Sequence, residues 1–197
     1  MAEITQSAGS YLRPWRNPLG GPFPITHRKQ STGGSSLIIR IGTVLGLDPN
    51  STVYADCVVP SSQTSNTIVS TAIVGVAAEG PGAVTGGIAS GIGSTNTQGT
   101  LIPIWEANPH MEFMAYTRNG ALASTLVGTP RDLLWDSTNF ITLVNSGASS
   151  LSTPLNTVIV TELIDNIGDT GGRVAFRFCV KDPLSSLSTG CRLAFFR

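Results

Sequence analysis

The chain has 197 residues, of which 12% are charged, with 12 basic and 12 acidic side chains and a formal net charge of +0. Its 22 glycines and 12 prolines leave little room for long helices, and 41% hydrophobic residues are enough for a packed core. A coiled coil, a helical bundle, a disordered chain and a basic protein that coats nucleic acid are excluded on these grounds, and the length suits about one domain.

The charge is uneven. Residues 1–40 carry five basic side chains (Arg13, Arg16, Arg28, Lys29, Arg40) against Glu3, so this stretch is +4 and the remainder −4. It reads as a basic arm on an acidic body. Within it, residues 11–34 hold Pro14, Pro18, Pro22 and Pro24, and proline fixes φ and removes a donor, so regular helix or central strand is not expected there. The same stretch carries Tyr11, Leu12, Trp15, Leu19, Phe23 and Ile25, apolar area that something must cover. Either the arm folds back on its own domain, or it lies on a neighbour; the expectation adopted is that residues 11–25 leave the body for an intersubunit or partner-facing groove.

Beyond the arm, short runs rich in Val, Ile, Thr and Phe alternate with Gly, Pro, Asn, Asp and Ser, the pattern of an all-β protein. Strands are expected over 37–44, 52–59, 67–76, 101–104, 111–117, 133–135, 141–144, 158–164, 174–180 and 192–196. The clearest is RVAFRFCVK, in which Val174, Phe176, Phe178 and Val180 share one face and Arg173, Ala175, Arg177, Cys179 and Lys181 the other. Turns are expected at Asp169-Thr170-Gly171-Gly172 and at Arg118-Asn119-Gly120, where Asn-Gly tolerates positive φ. Residues 79–100 are almost all small or polar and read as a long Gly-rich loop.

Cys57, Cys179 and Cys191 are odd in number and lack CxxC spacing, so they read as reduced, buried small hydrophobes; a Cys179–Cys191 bridge stays open if two C-terminal strands pair. Residues 1–10 are mostly polar, without a signal-peptide pattern, and the most apolar stretch, 68–78, is too short to span a bilayer, so a soluble, unexported chain with no membrane partner is expected.

The chemistry is sparse. No Gly-Lys pair exists to form a phosphate loop, and GIASG at 87–91 puts alanine where a nucleophile elbow needs serine. His27 lies beside Arg28 and Lys29, a poor setting for a general base. His110 with Glu106 and Glu112 is the sharpest metal-site idea, weighed against a turn whose polar residues are solvated. Asp165 and Asp169 fit a hairpin loop better than a calcium loop, which would need further oxygen ligands and a closing Glu. YLRPWR has too few charges for a nucleic-acid site.

The stretch LIPIWEANPHMEFMAYTRNGALASTLVGTPRDLLWD, residues 101–136, places Ile102, Pro103, Ile104, Ala107, Pro109, Phe113, Val127, Gly128, Asp132 and Leu133 in a pattern that resembles head-decoration (cement) proteins of tailed bacteriophages. The GGRVAFRF stretch resembles the closing hairpin of the same barrel. The resemblance implies a homotrimeric structural protein on the capsid exterior, assembled in the host cytoplasm, that binds the major capsid protein and braces the shell.

The expectations are therefore an all-β fold, a compact β-barrel or sandwich, with an extended Pro-rich N-terminal arm at 1–36 and a body at 37–197. The arm residues Tyr11, Arg13, Trp15, Arg16 and Phe23 are expected to bind the partner. No catalytic centre, cofactor, metal or nucleic acid is expected; the resemblance implies the major capsid protein as partner, and further copies of the chain are expected because few charges protect its sheet edges. The alternative is a tail or receptor-binding β module that recognises glycans through Trp105 and Trp135, with core burial of both as the default.

Overall fold

The computed structural model describes residues 12–29, 41–47, 58–60, 63–64, 67–68, 73–78, 101–108, 110–136, 141–147 and 158–179. The fold is compact and all-β, with one nearly closed, barrel-like sheet and a second, smaller sheet. The strands are β1 (Arg13–Arg16), β2 (Ile25–Lys29), β3 (Val44–Leu47), β4 (Val58–Pro60), β5 (Gln63–Thr64), β6 (Thr67–Ile68) and β7 (Ile73–Ala77). They continue with β8 (Leu101–Glu106), β9 (Glu112–Arg118), β10 (Pro130–Arg131), β11 (Leu133–Asp136), β12 (Ile141–Asn145), β13 (Val158–Leu163) and β14 (Arg173–Phe178). The nine-stranded sheet runs β10, β13, β14, β9, β12, β11, β6, β5, with β1 added to β9; the five-stranded sheet runs β2, β8, β7, β3, β4.

Alternation explains where the core sits. On β14, Val174, Phe176 and Phe178 point inward and join Phe113, Ala115, Val158, Val160 and Leu133 in the main cluster, to which the smaller sheet contributes Val44 and Val76. The centre of this cluster is aromatic: Phe113 lies 6.2 Å from Phe176 and 5.1 Å from Phe178, between ring centroids. The smaller sheet buries a second set, Leu45, Ala77, Ile102 and Ile104, which alternate along β3, β7 and β8 with its contributions to the main cluster. The two strands β7 and β8 approach so closely that a Cβ on Gly75 would collide with the Trp105 carbonyl oxygen, which fixes glycine at that position.

The arm is where sequence and structure part. Far from leaving the body, Arg13–Arg16 pairs antiparallel with β9, and Ile25–Lys29 pairs antiparallel with β8 over its whole length. Leu12 is fully buried in the main cluster, and Phe23 packs edge-on against Phe113 at 5.7 Å. The physical reason is that the prohibition on proline applies to strands paired on both sides. Among the described residues, Pro14 sits in a strand that pairs only with β9, and Pro24 immediately precedes β2, which ends its sheet, so neither position has to donate to a second neighbour.

Other boundaries move as well. The strand expected over 67–76 contributes to two strands in different sheets, and of the one expected over 37–44, residues 37–40 lie outside the described residues, 41–43 lie outside a strand and Val44 opens β3. Asn119 has the expected positive φ of 73°, yet it closes no hairpin: the chain continues through an Ala121–Thr170 bridge into a 3-10 turn at Ser124–Leu126. Cys179, just past β14, is disulfide-bonded, which corrects the reading of all three cysteines as reduced; its partner is Cys57 or Cys191, both outside the described residues. The Gly-rich segment 79–100 and the strand expected over 192–196 also lie outside them.

Candidate functional site

The densest arrangement of charge lies on the outer face of β1, β9, β14 and β13. On β9 the inward side chains are Phe113 and Ala115, so Glu112, Met114, Tyr116 and Arg118 alternate outward. Glu112 is nonetheless only 2% exposed. A carboxylate at that burial must be paired. Arg16, its direct cross-strand partner on β1, donates from Nε to Glu112 Oε2 at 2.7 Å, and Arg177 on β14 donates from Nη2 to Oε1 at 3.0 Å. Arg16 also donates from Nη2 to Glu162 Oε2 on β13 at 3.0 Å. One arginine thus links β1 to β13 across β9 and β14, where Ala175 is the cross-strand neighbour of both Met114 and Glu162.

Both strands that flank this network carry an irregularity. The β1 to β9 register slips between Pro14 and Arg16, which puts Trp15 at the break, and the β13 to β14 register slips between Val160 and Glu162. Such bulges re-aim side chains, here the two that meet over β14. The Arg16 guanidinium is held more firmly protonated than usual, chiefly by its hydrogen bond to Glu112.

Two more carboxylates have defined roles. Asp165, in the loop between β13 and β14, accepts from Arg173 Nη2 at 2.6 Å and from the Arg173 backbone N–H at 2.8 Å, which holds its carboxyl below the usual carboxylate range. Asp169 accepts from the Asn166 backbone N–H at 3.1 Å, so the pair builds a hairpin loop, as expected. Asp132, between β10 and β11, is 6% exposed; its Oδ1 has no hydrogen-bond partner among the described residues, and burial raises its pKa.

The residues singled out by the sequence are distributed unevenly over the fold, with Tyr11 outside the described residues. Arg13 faces Met114 across the strands, and its side chain makes no hydrogen bond or ion pair among the described residues. Trp15 is 41% exposed, Arg16 is tied to Glu112 and Glu162, and Phe23 belongs to the core. Glu106, His110 and Glu112 do not converge: no group of three metal-ligating side chains occurs among the described residues, and Glu112 is the buried hub of an ion-pair network, not a solvated turn residue. Trp105 and Trp135 pack against the main cluster, the default expected of them. Sequence reasoning misses Glu112 and Glu162 as a charged site; strand alternation gives their face, but their arginine partner lies 96 and 146 residues away.

No helix among the described residues is long and apolar enough to cross a membrane. Comparison with protein-family models, with curated proteins and with solved structures returned no match.

Proposed function

We propose that the chain is a structural, non-enzymatic virion protein that decorates the exterior of a phage head as a homotrimer, binds the major capsid protein and stabilises the shell. The observation that carries this reading is the placement of exposed apolar side chains. Trp15, Leu19 and Ile25 are 41%, 73% and 53% exposed within one short stretch. Apolar side chains grouped in this way mark a surface that another protein covers. The resemblance of residues 101–136 and of the last hairpin to decoration proteins supports the same reading, and these segments form β8 to β11 and the β13–β14 pair of a disulfide-bearing β body.

The test is the copy number of the chain in purified particles, read from a stained gel. A stoichiometry close to that of the major capsid protein is expected. A few copies per particle would overturn the reading in favour of a tail component.

A further inference from the structure

We infer that the barrel-like sheet closes along a pH-sensitive seam at Asp132, where ionisation of the buried carboxyl releases β10 from β13 and opens the barrel on that side. The strand order creates the seam. The larger sheet runs from β10 through β13, β14, β9 and β12 to β11, yet in the chain β10 and β11 are separated by a single residue, Asp132. One bent strand therefore joins the two ends of this run, pairing with β13 through Pro130 and Arg131 and with β12 through Leu133–Asp136. The Asp132 carbonyl belongs to the second half, since it accepts from the Asn145 backbone N–H at 2.9 Å.

The side chain at this junction sits where charge is poorly tolerated. Asp132 is 6% exposed and its Oδ1 has no hydrogen-bond partner among the described residues, so its ionised form lacks donors to replace lost hydration. Neighbouring charges do not make up the loss. Arg131 favours the ionised form, but its guanidinium donates to Thr129 Oγ1 at 3.1 Å and to the Gly147 carbonyl at 2.7 Å. On β12, Ile141–Asn145 has no titratable side chain; on β13, Glu162 is joined to Arg16; on β9, Arg118 is opposite Asn145 and pairs with Asp136 of β11 at 3.5 Å. Burial accordingly outweighs Arg131 and holds the Asp132 carboxyl above its ordinary pKa.

The two halves of the bent strand are unequally held, and that decides where it yields. β11 pairs with β12 over four residues, whereas β10 has two, one of them Pro130, which has no N–H to donate. Beside β10, Gly128 N–H donates to the Val160 carbonyl at 2.8 Å and Val160 N–H to the Thr129 carbonyl at 3.3 Å. Releasing this short end admits water to the carboxylate and leaves the β11–β12 ladder in place, an opening smaller than global unfolding. Opening returns Asp132 toward its ordinary pKa, so by linkage the seam is closed below that value and opens progressively as pH rises through the raised one. The seam is a property of one chain and does not depend on what the protein decorates.

The experiment is amide hydrogen exchange, read residue by residue by NMR on the full-length protein and on Asp132→Asn, from acid to neutral pH and at several low urea concentrations. The Val160 amide reports the β10–β13 side, Asn145 the β11–β12 side, and Thr117, which donates to the Gly172 carbonyl, the body of the sheet. In wild type, Val160 is expected to exchange more readily than Thr117, through an opening that urea barely changes because little surface is exposed. That opening is expected to grow by up to about tenfold per pH unit between the ordinary and the raised pKa of Asp132, and the growth is expected to vanish in Asp132→Asn. Asn145 is expected to follow Thr117. If Val160 matches Thr117 in size and urea dependence, the seam opens only with the whole fold and the inference fails. Growth with pH that persists in Asp132→Asn also overturns it, as does Asn145 opening together with Val160. Should Asp132→Asn fail to fold, wild type alone decides: an opening at Val160 that is indifferent to pH rejects the seam.

Discussion

On the inner face of β9, Phe113 is sealed by the rings of Phe23, Phe176 and Phe178, whereas on the outer face Glu112 reaches almost the same low exposure beneath arginines from the strands on either side. The first face excludes water by apolar packing, which is indifferent to salt and pH. The second does so with charge, and its components are unequal: the Glu112 side chain is 3% exposed, while those of Arg16 and Arg177 are 53% and 29% exposed. The carboxylate depends on the arginines far more than they depend on it, because they can return to water and it cannot.

The comparison breaks most visibly at Phe113. Phe113→Ala removes the ring at the centre of the aromatic cluster and is expected to cost about 3–5 kcal/mol, seen in urea unfolding as a loss that is the same at low and high salt. Glu112→Ala on the opposite face is expected to cost about 2–3 kcal/mol, since it breaks charge-assisted hydrogen bonds to two arginines that can be rehydrated. Its mark is that wild type and variant draw closer in melting temperature as salt rises; a loss independent of salt would show that Glu112 acts by packing alone.

Two smaller effects sharpen the contrast between paired and unpaired carboxylates. Asp165 is held below its ordinary pKa by Arg173, so its contribution to stability is present above the unfolded value and is lost as pH falls through the folded one. Asp165→Asn should destabilise by about 1 kcal/mol at neutral pH and leave a flatter acid limb in thermal melts. Asp132 behaves oppositely. Burial raises its pKa, so its contribution favours folding below the unfolded value and fades as pH rises through the folded one. Asp132→Asn is therefore expected to match or exceed wild-type stability near neutral pH and to lose that advantage on acidification; a melting temperature below wild type at neutral pH would count against this account.

How much of this is legible in the sequence depends on the range of the interaction. The alternation of Arg173–Phe178 is a property of adjacent residues and identifies both its core face and the outward position of Arg177 without reference to any other strand. The all-β class follows from the same kind of local pattern repeated along the chain. By contrast, β1 and β2 are hidden because the effect of a proline depends on which strands stand at sheet edges, a fact that belongs to topology. The charged site is hidden for a related reason: Glu112 shows its face by alternation, but whether a carboxylate on an outer face is solvated or roofed depends on an arginine in a distant part of the sequence. Arg16 reads from the sequence as a partner contact, and its position on β1 instead directs it to the sheet beneath.

The long span between β1 and its slot also matters while the chain is being made. Arg16 precedes Glu112 by 96 residues and Glu162 by 146. At an elongation rate of about 5–20 residues per second, the strand emerges roughly 5–20 s before β9 has been synthesised. Throughout that interval a short segment containing Leu12 and Trp15 has no edge to join. The pairing that buries Leu12 and joins Arg16 to Glu112 and Glu162 is therefore among the last that the growing chain can make.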